Sequence, residues 1–134
     1  MRLIKENYLF FILIISLFIT DRLVKNEILD ILKDLDYLFI NDYLNLNLVF
    51  NTGIGFGILS LNAGVYYNIL TVVIFLVILF LLFIMIKLST KEKIYFSLII
   101  GGAIGNLYDR IFFKAVPDFI DFHINEFHWF TFNL

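Results

Sequence analysis

Two clusters of ionisable and amide side chains interrupt otherwise apolar stretches of this chain, and two further acids lie in an apolar, strand-like segment. Asp21 and Lys25 are spaced i, i+4, so on a helix they share one face and can pair. We read them as a structural pair that fixes packing. Asn106, Asp109 and Arg110, spaced i, i+3, i+4, also share a face. An amide and a guanidinium beside a carboxylate can hold the N–H and C=O groups of a peptide backbone, so this face is read as a binding surface. Asp118 and Asp121 sit in Ala115-Val116-Pro117-Asp118-Phe119-Ile120-Asp121-Phe122. Pro117 biases Val116 toward an extended conformation, so a turn or strand leads into Asp118. A carboxylate held among apolar neighbours suits general acid–base chemistry. Asn51 precedes the run Gly53-x-Gly55-x-Gly57, and an amide beside a flexible turn can hold an extended substrate. No Lys-Ser/Thr follows those glycines, so they are not read as a phosphate loop. With no cysteine, and with His123 and His128 at no recognised ligand spacing, neither a metal nor a cofactor is expected.

The elements that must position these residues are mostly membrane helices. Of 134 residues, 61% are hydrophobic and 16% charged, against about half and a quarter in a soluble domain. The excess is clustered. Val65 to Ile86 is polar only at Tyr66, Tyr67, Asn68 and Thr71, long enough for a bilayer core of about 30 Å at roughly 1.5 Å per residue. Residues 8–24 form a first span, because the apolar run ends without the small residues of a cleavage site. A third span covers 94–113 and carries Asn106, Asp109 and Arg110 within it. Ionisable residues inside spans are costly and mark function by default.

Residues 26–64 and 114–134 are expected outside the membrane. Ile28, Leu32 and Leu35 recur on one face over 26–36, which predicts a short interfacial helix. Leu44, Leu46 and Leu48 alternate with Asn45 and Asn47, which predicts a small β element. Arg2, Lys5, Lys87, Lys91 and Lys93 lie in two very short segments, so the N-terminus and the 87–93 turn are placed in the cytoplasm. The fold expected is an α-helical integral membrane protein, one membrane-embedded domain over 1–134, with three transmembrane helices and a small extracytoplasmic β element. A net charge of −2 indicates no nucleic-acid partner. Membrane lipids surround the chain, and a monomer is expected.

Five blocks then coincide in order and spacing with one family. They are Asp21-Arg-Leu-Val-Lys25, Asn51-Thr-Gly53-Ile-Gly-Phe56, Gly101-Gly-Ala-Ile-Gly105-Asn106-Leu-Tyr-Asp109-Arg110, Val116-Pro-Asp118-Phe119 and Phe132-Asn133. The chain resembles the lipoprotein signal peptidases over essentially its whole length. The resemblance implies an aspartyl endopeptidase of the bacterial inner membrane with four membrane helices and an extracytoplasmic β cradle. Such enzymes remove the signal peptide of a prolipoprotein just before a cysteine that bears diacylglycerol. Asp118 matches one catalytic aspartate. The other belongs to Phe-Asn-x-Ala-Asp, of which Phe132-Asn133-Leu134 is present, so its acid is expected two positions past Leu134. The domain is therefore expected to be incomplete at its C-terminus and the 134 residues alone to be inactive. Asn51, Gly53, Asn106, Arg110 and Asn133 match positions that bind substrate or support the site. Asp21, Lys25 and Asp109 match structural positions.

A rival reading is a small transporter or channel subunit, with Asp21, Lys25, Asp109 and Arg110 lining an ion path. It requires charges spread through membrane depth, whereas these cluster at one end.

Overall fold

The computed structural model describes residues 2–53 and 64–134, with side chains from Asn7 onward. Gly55 and Gly57 of the predicted glycine turn lie outside the described residues. The elements run α1 (Arg2–Ile31), β1 (Leu38–Asn41), β2 (Leu44–Asn51), α2 (Val65–Met85), α3 (Thr90–Phe112), β3 (Val116–Ile124) and β4 (Phe127–Phe132).

Helix α2 matches its expected span. Helix α1 does not: the break expected after Val24, with a separate interfacial helix over 26–36, is absent. No Gly or Pro interrupts this stretch. The Asp21–Lys25 pair also bridges successive turns at 2.8 Å, where the span was expected to end. Helix α3 begins at Thr90, one turn earlier than expected. Glu92 there accepts the backbone N–H of Ser89 at 2.9 Å and its hydroxyl at 2.6 Å, a capping box that starts the helix.

Helix α3 packs against both α1 and α2. Ile14, Ile78, Met85, Ile100 and Leu107 form the shared core. Around it the helices turn apolar side chains outward, among them Ile12, Ile15 and Ile19 of α1 and Val72, Leu76, Phe80 and Phe83 of α2. Water would penalise such a surface and lipid would not. Both α1, from Asn7 onward, and α2 are long and apolar enough to cross a bilayer. The expected Gly101-x-x-x-Gly105 contact is present. A Cβ at Gly101 would lie 2.7 Å from Cβ of Leu17, and one at Gly105 would overlap the Asp21 carboxylate. Only glycine lets α1 come this close.

The β element is larger than the sequence reading anticipated. Four strands form one antiparallel sheet in the order β1-β2-β3-β4, so residues 116–132 join the strand predicted over 44–48. Asn125 takes φ 53° at the β3–β4 turn, flanked by the Ile124–Phe127 pair. Asn tolerates this left-handed conformation, which suits a two-residue hairpin. Pro117 pairs with Phe50 on one side only, because β4 is in register with β3 from Ile120 onward. A proline, which has no N–H to donate, is tolerated at such an unpaired edge. That free edge is where Asp118 lies.

Candidate active site

Asp118 is buried, and both its carboxylate oxygens are engaged. Asn51, at the end of β2, donates its Nδ2 to Oδ2 at 2.9 Å. Asn133, just beyond β4, donates its Nδ2 to Oδ1. Two amides from opposite sides thus hold the carboxylate in one orientation.

The network continues into α3. The Asn51 Oδ1 accepts the Gly53 N–H at 2.8 Å, an Asx-type turn that closes the end of β2. The Gly53 carbonyl accepts Nη2 of Arg110 at 2.9 Å, and Arg110 Nη1 reaches the Asn106 carbonyl at 3.2 Å. Tyr67 of α2 donates its hydroxyl to the Arg110 carbonyl at 3.3 Å. A cavity of about 240 Å³ lies among Asn51, Asn106, Arg110, Val116, Asp118 and Asn133. Every residue that the resemblance assigned to catalysis or substrate binding is therefore brought into one connected group. A second cleft of about 340 Å³ lies on the β4 side of Asp118 and is lined by Asn51, Asp118, Asp121, His128 and Trp129. Alternation along a strand would send Asp121 away from Asp118. Both nevertheless face this cleft, and the pairing of β2 with β3 shifts register between Leu46 and Val49, opposite Ile120 and Asp118.

The remaining polar residues bind α1 to α3. Lys25 donates from Nζ to Asp109 Oδ2 and Asn106 Oδ1, each at 2.8 Å, and forms an ion pair with Asp21 Oδ1 at the same distance. Arg22 pairs with Asp109 at 2.6 Å and Asp21 at 2.9 Å, and its guanidinium lies 4.9 Å from the centre of the Tyr108 ring. Two acids and two bases neutralise one another where water is largely excluded. Asp109 thus faces α1 and Arg110 faces the end of β2, while Asn106 lies between, accepting from Lys25 and lining the cavity at Asp118.

Sequence reasoning missed Arg22, although its adjacency to Asp21 was a signal. It also missed that Asp121 and His128 meet at 2.7 Å and that His123 and His128 stack, with ring centres 5.1 Å apart. Their partnership depends on the hairpin turn rather than on linear ligand spacing. The aromatic-rich runs on either side of Asn125-Glu126 signalled that turn.

Comparison with known proteins places these features in a family. The family model described as signal peptidase (SPase) II matches residues 13–134. The lipoprotein signal peptidase of Pelagibacter ubique (strain HTCC1062) is 44% identical over 134 residues, covering 98% of this chain and 80% of its own length. That of Francisella tularensis subsp. mediasiatica is 37% identical, covering 100% of this chain and 86% of its own. Among solved structures, a bacterial membrane enzyme determined by the in meso method superposes with a TM-score of 0.72 at 28% identity, over 91% of this chain and 76% of that one.

Proposed function

The chain belongs to the signal peptidase II family of aspartic endopeptidases, and from that premise we propose that Asp118 is a catalytic aspartate in the cleavage of lipid-modified precursors. It is a bacterial membrane enzyme that removes signal peptides from prolipoproteins. The bond cut precedes the cysteine that carries diacylglycerol. The observation that carries this reading is Asp118 itself: a buried carboxylate, gripped by two amides, facing two clefts at the end of the helices.

In such a site two neighbouring carboxylates share one proton, because both cannot easily ionise together. The ionised one takes a proton from water, and the resulting hydroxide adds to the scissile carbonyl. The protonated one gives its proton to the carbonyl oxygen. Collapse of the tetrahedral intermediate then releases the amine, with a proton delivered to nitrogen. The partner carboxylate belongs to the Phe-Asn-x-Ala-Asp motif that Phe132-Asn133 matches, and the bond from Asn133 to Asp118 supports that pairing. Asn51, Gly53, Asn106 and Arg110 hold the substrate strand and support the site. Asp21, Lys25 and Asp109, joined by Arg22, serve as the clamp that fixes α3 against α1.

Three membrane crossings position this site. Helix α3 has 23 residues, about 35 Å at 1.5 Å per residue, which exceeds a bilayer core. Lys93, in its first turn, lies over Phe10 in the first half of α1 at 5.7 Å. The basic starts of the two helices therefore share one side, which the positive-inside tendency assigns to the cytoplasm. The sheet and Asp118 then face outward, where the diacylglyceryl chains can stay in the bilayer while water reaches the bond. The transporter reading gains nothing here. Asp21, Arg22, Lys25 and Asp109 form a closed, mutually neutralising set at one end of the helices.

The test is cleavage of a precursor with and without diacylglycerol on its cysteine, using the protein as its gene encodes it, reconstituted in lipid. Release of a fragment beginning with the lipidated cysteine, from the modified precursor only, is expected. Cleavage elsewhere, or none, would overturn the reading.

A further inference from the structure

On the face of the sheet beside the catalytic cleft, Asp121, His123 and His128 converge, with one ligand atom from each lying within 4.8 Å of the others. We propose that these three side chains form a binding site for a divalent transition-metal ion of the zinc class, which clasps β4 onto β3.

The hairpin builds the site. His123 and His128 are register partners across β3 and β4, and their rings lie nearly parallel, 18° apart. Asp121 stands two positions before His123 and meets Nδ1 of His128 at 2.7 Å. Two imidazoles and a carboxylate are the donor set of three-ligand zinc sites, which leave the fourth position to water. Bonds of about 2.0–2.2 Å in a tetrahedron separate ligand atoms by about 3.4 Å, and a metal lies in the plane of each imidazole, so closure needs movements of about 1 Å together with rotation of the His128 ring out of its stack on His123. The His128 side chain is 53% exposed and is free to make that movement.

A second observation points the same way. Asp121, His123 and His128 line one cavity of about 530 Å³ together with Asn45 and Asp36. Asn45 is 8% exposed and is the register partner of Asp121 on β2. Its Oδ1 and the Nδ1 of His123 are both buried and make no hydrogen bond among the described residues. Buried polar atoms are ordinarily satisfied. A cation bound to the imidazole, with its water held by the Asn45 oxygen, would satisfy both. Asp36 adds a further negative charge at the rim. Asp121 and His128 also line the cleft that Asp118 fronts, so the ion would stiffen one wall of that cleft.

The test is metal binding, with no reference to peptidase activity. Tag-free protein in detergent, stripped with a chelator, is titrated with Zn²⁺ by calorimetry and with Co²⁺ by visible absorption. One ion per chain is expected, with Co²⁺ giving the intense bands of a four-coordinate site. Asp121→Asn, His123→Ala and His128→Ala should each weaken Zn²⁺ binding about tenfold or more, and Glu126→Gln on the exposed turn should not. Zn²⁺ should also slow amide hydrogen exchange across Val116–Phe132. If His123→Ala fails to fold, His128→Ala at its exposed position decides the matter. No binding, or binding of equal strength in His128→Ala and wild type, would overturn the proposal.

Discussion

The Asn51 side-chain amide donates to the Asp118 carboxylate at 2.9 Å, although the two residues lie 67 positions apart in the chain. They meet because β2 and β3 run antiparallel, with Asn51 opposite Val116 and Val49 opposite Asp118. The sheet thus carries out the main positioning step of the proposed site, and the helices anchor it through Arg110 and Gly53.

Replacing Asn51 with Ala should leave Asp118 held by Asn133 alone and also open the Asn51–Gly53 turn. We expect kcat/KM to fall by roughly ten- to a hundredfold, equivalent to about 1.4–2.7 kcal/mol of transition-state stabilisation. Helix content by circular dichroism should be unchanged. An unaltered kcat/KM would show that this amide does not orient the carboxylate.

Lys25 holds two acids and one amide while fully buried. Lys25→Met should destabilise the fold by about 3–5 kcal/mol, the usual cost of leaving buried charges without their partner. Adding Asp21→Asn to that variant should cost less than the sum of the two single changes, because it removes one stranded charge. Thermal unfolding in detergent, followed on all three variants, reads both effects.

At Gly105 even one methyl group would collide with Asp21, which cannot swing aside without breaking its bonds to Arg22 and Lys25. Gly105→Ala should therefore lower stability by about 1–3 kcal/mol, the range for overpacking. Gly102→Ala should be near neutral, since a Cβ there meets only the Leu134 carbonyl, 4.0 Å away. Equal thermal shifts for the two would contradict the close approach of α1.

The sequence made the helices legible because apolar runs and i, i+4 spacing are local signals. Asp21–Lys25 could be paired from spacing alone, and the structure keeps that pair. What spacing could not supply was partnership across the chain. Lys25 reaches Asp109 over 84 positions, and the adjacency of Arg22 to Asp21 signals one of its two acids but not the second, Asp109, on another helix. Helix α1 runs past its expected end because charge does not limit a helix where paired charges continue it. The sheet was underestimated for the same reason: alternation at 44–48 is a local signal, but its pairing with 116–124 is long-range. Membership of Asp118, Asn51, Arg110 and Asn133 in one site was legible only through the resemblance.

Orientation is open to direct test, since the chain has no native cysteine. Single cysteines at Ser89, between α2 and α3, and at Glu126, at the tip of the β3–β4 hairpin, are both exposed. In intact cells a membrane-impermeant thiol reagent should label Glu126→Cys and spare Ser89→Cys until the membrane is opened. The reverse pattern would invert the topology.

The central claim is that the Asp118 carboxylate carries out the chemistry, and Asp118→Asn tests it most directly. The amide is nearly isosteric but can neither share nor accept the catalytic proton. The measurement is turnover of a diacylglyceryl precursor by purified, correctly folded Asp118→Asn, beside wild type and Asp30→Asn, which removes an exposed acid of α1. Turnover should fall by about a thousandfold or more in Asp118→Asn and stay unchanged in Asp30→Asn, the loss expected when a catalytic proton carrier is removed. Near-wild-type turnover by Asp118→Asn, above all if Asp121→Asn were inactive, would contradict the account and move the chemistry to another carboxylate.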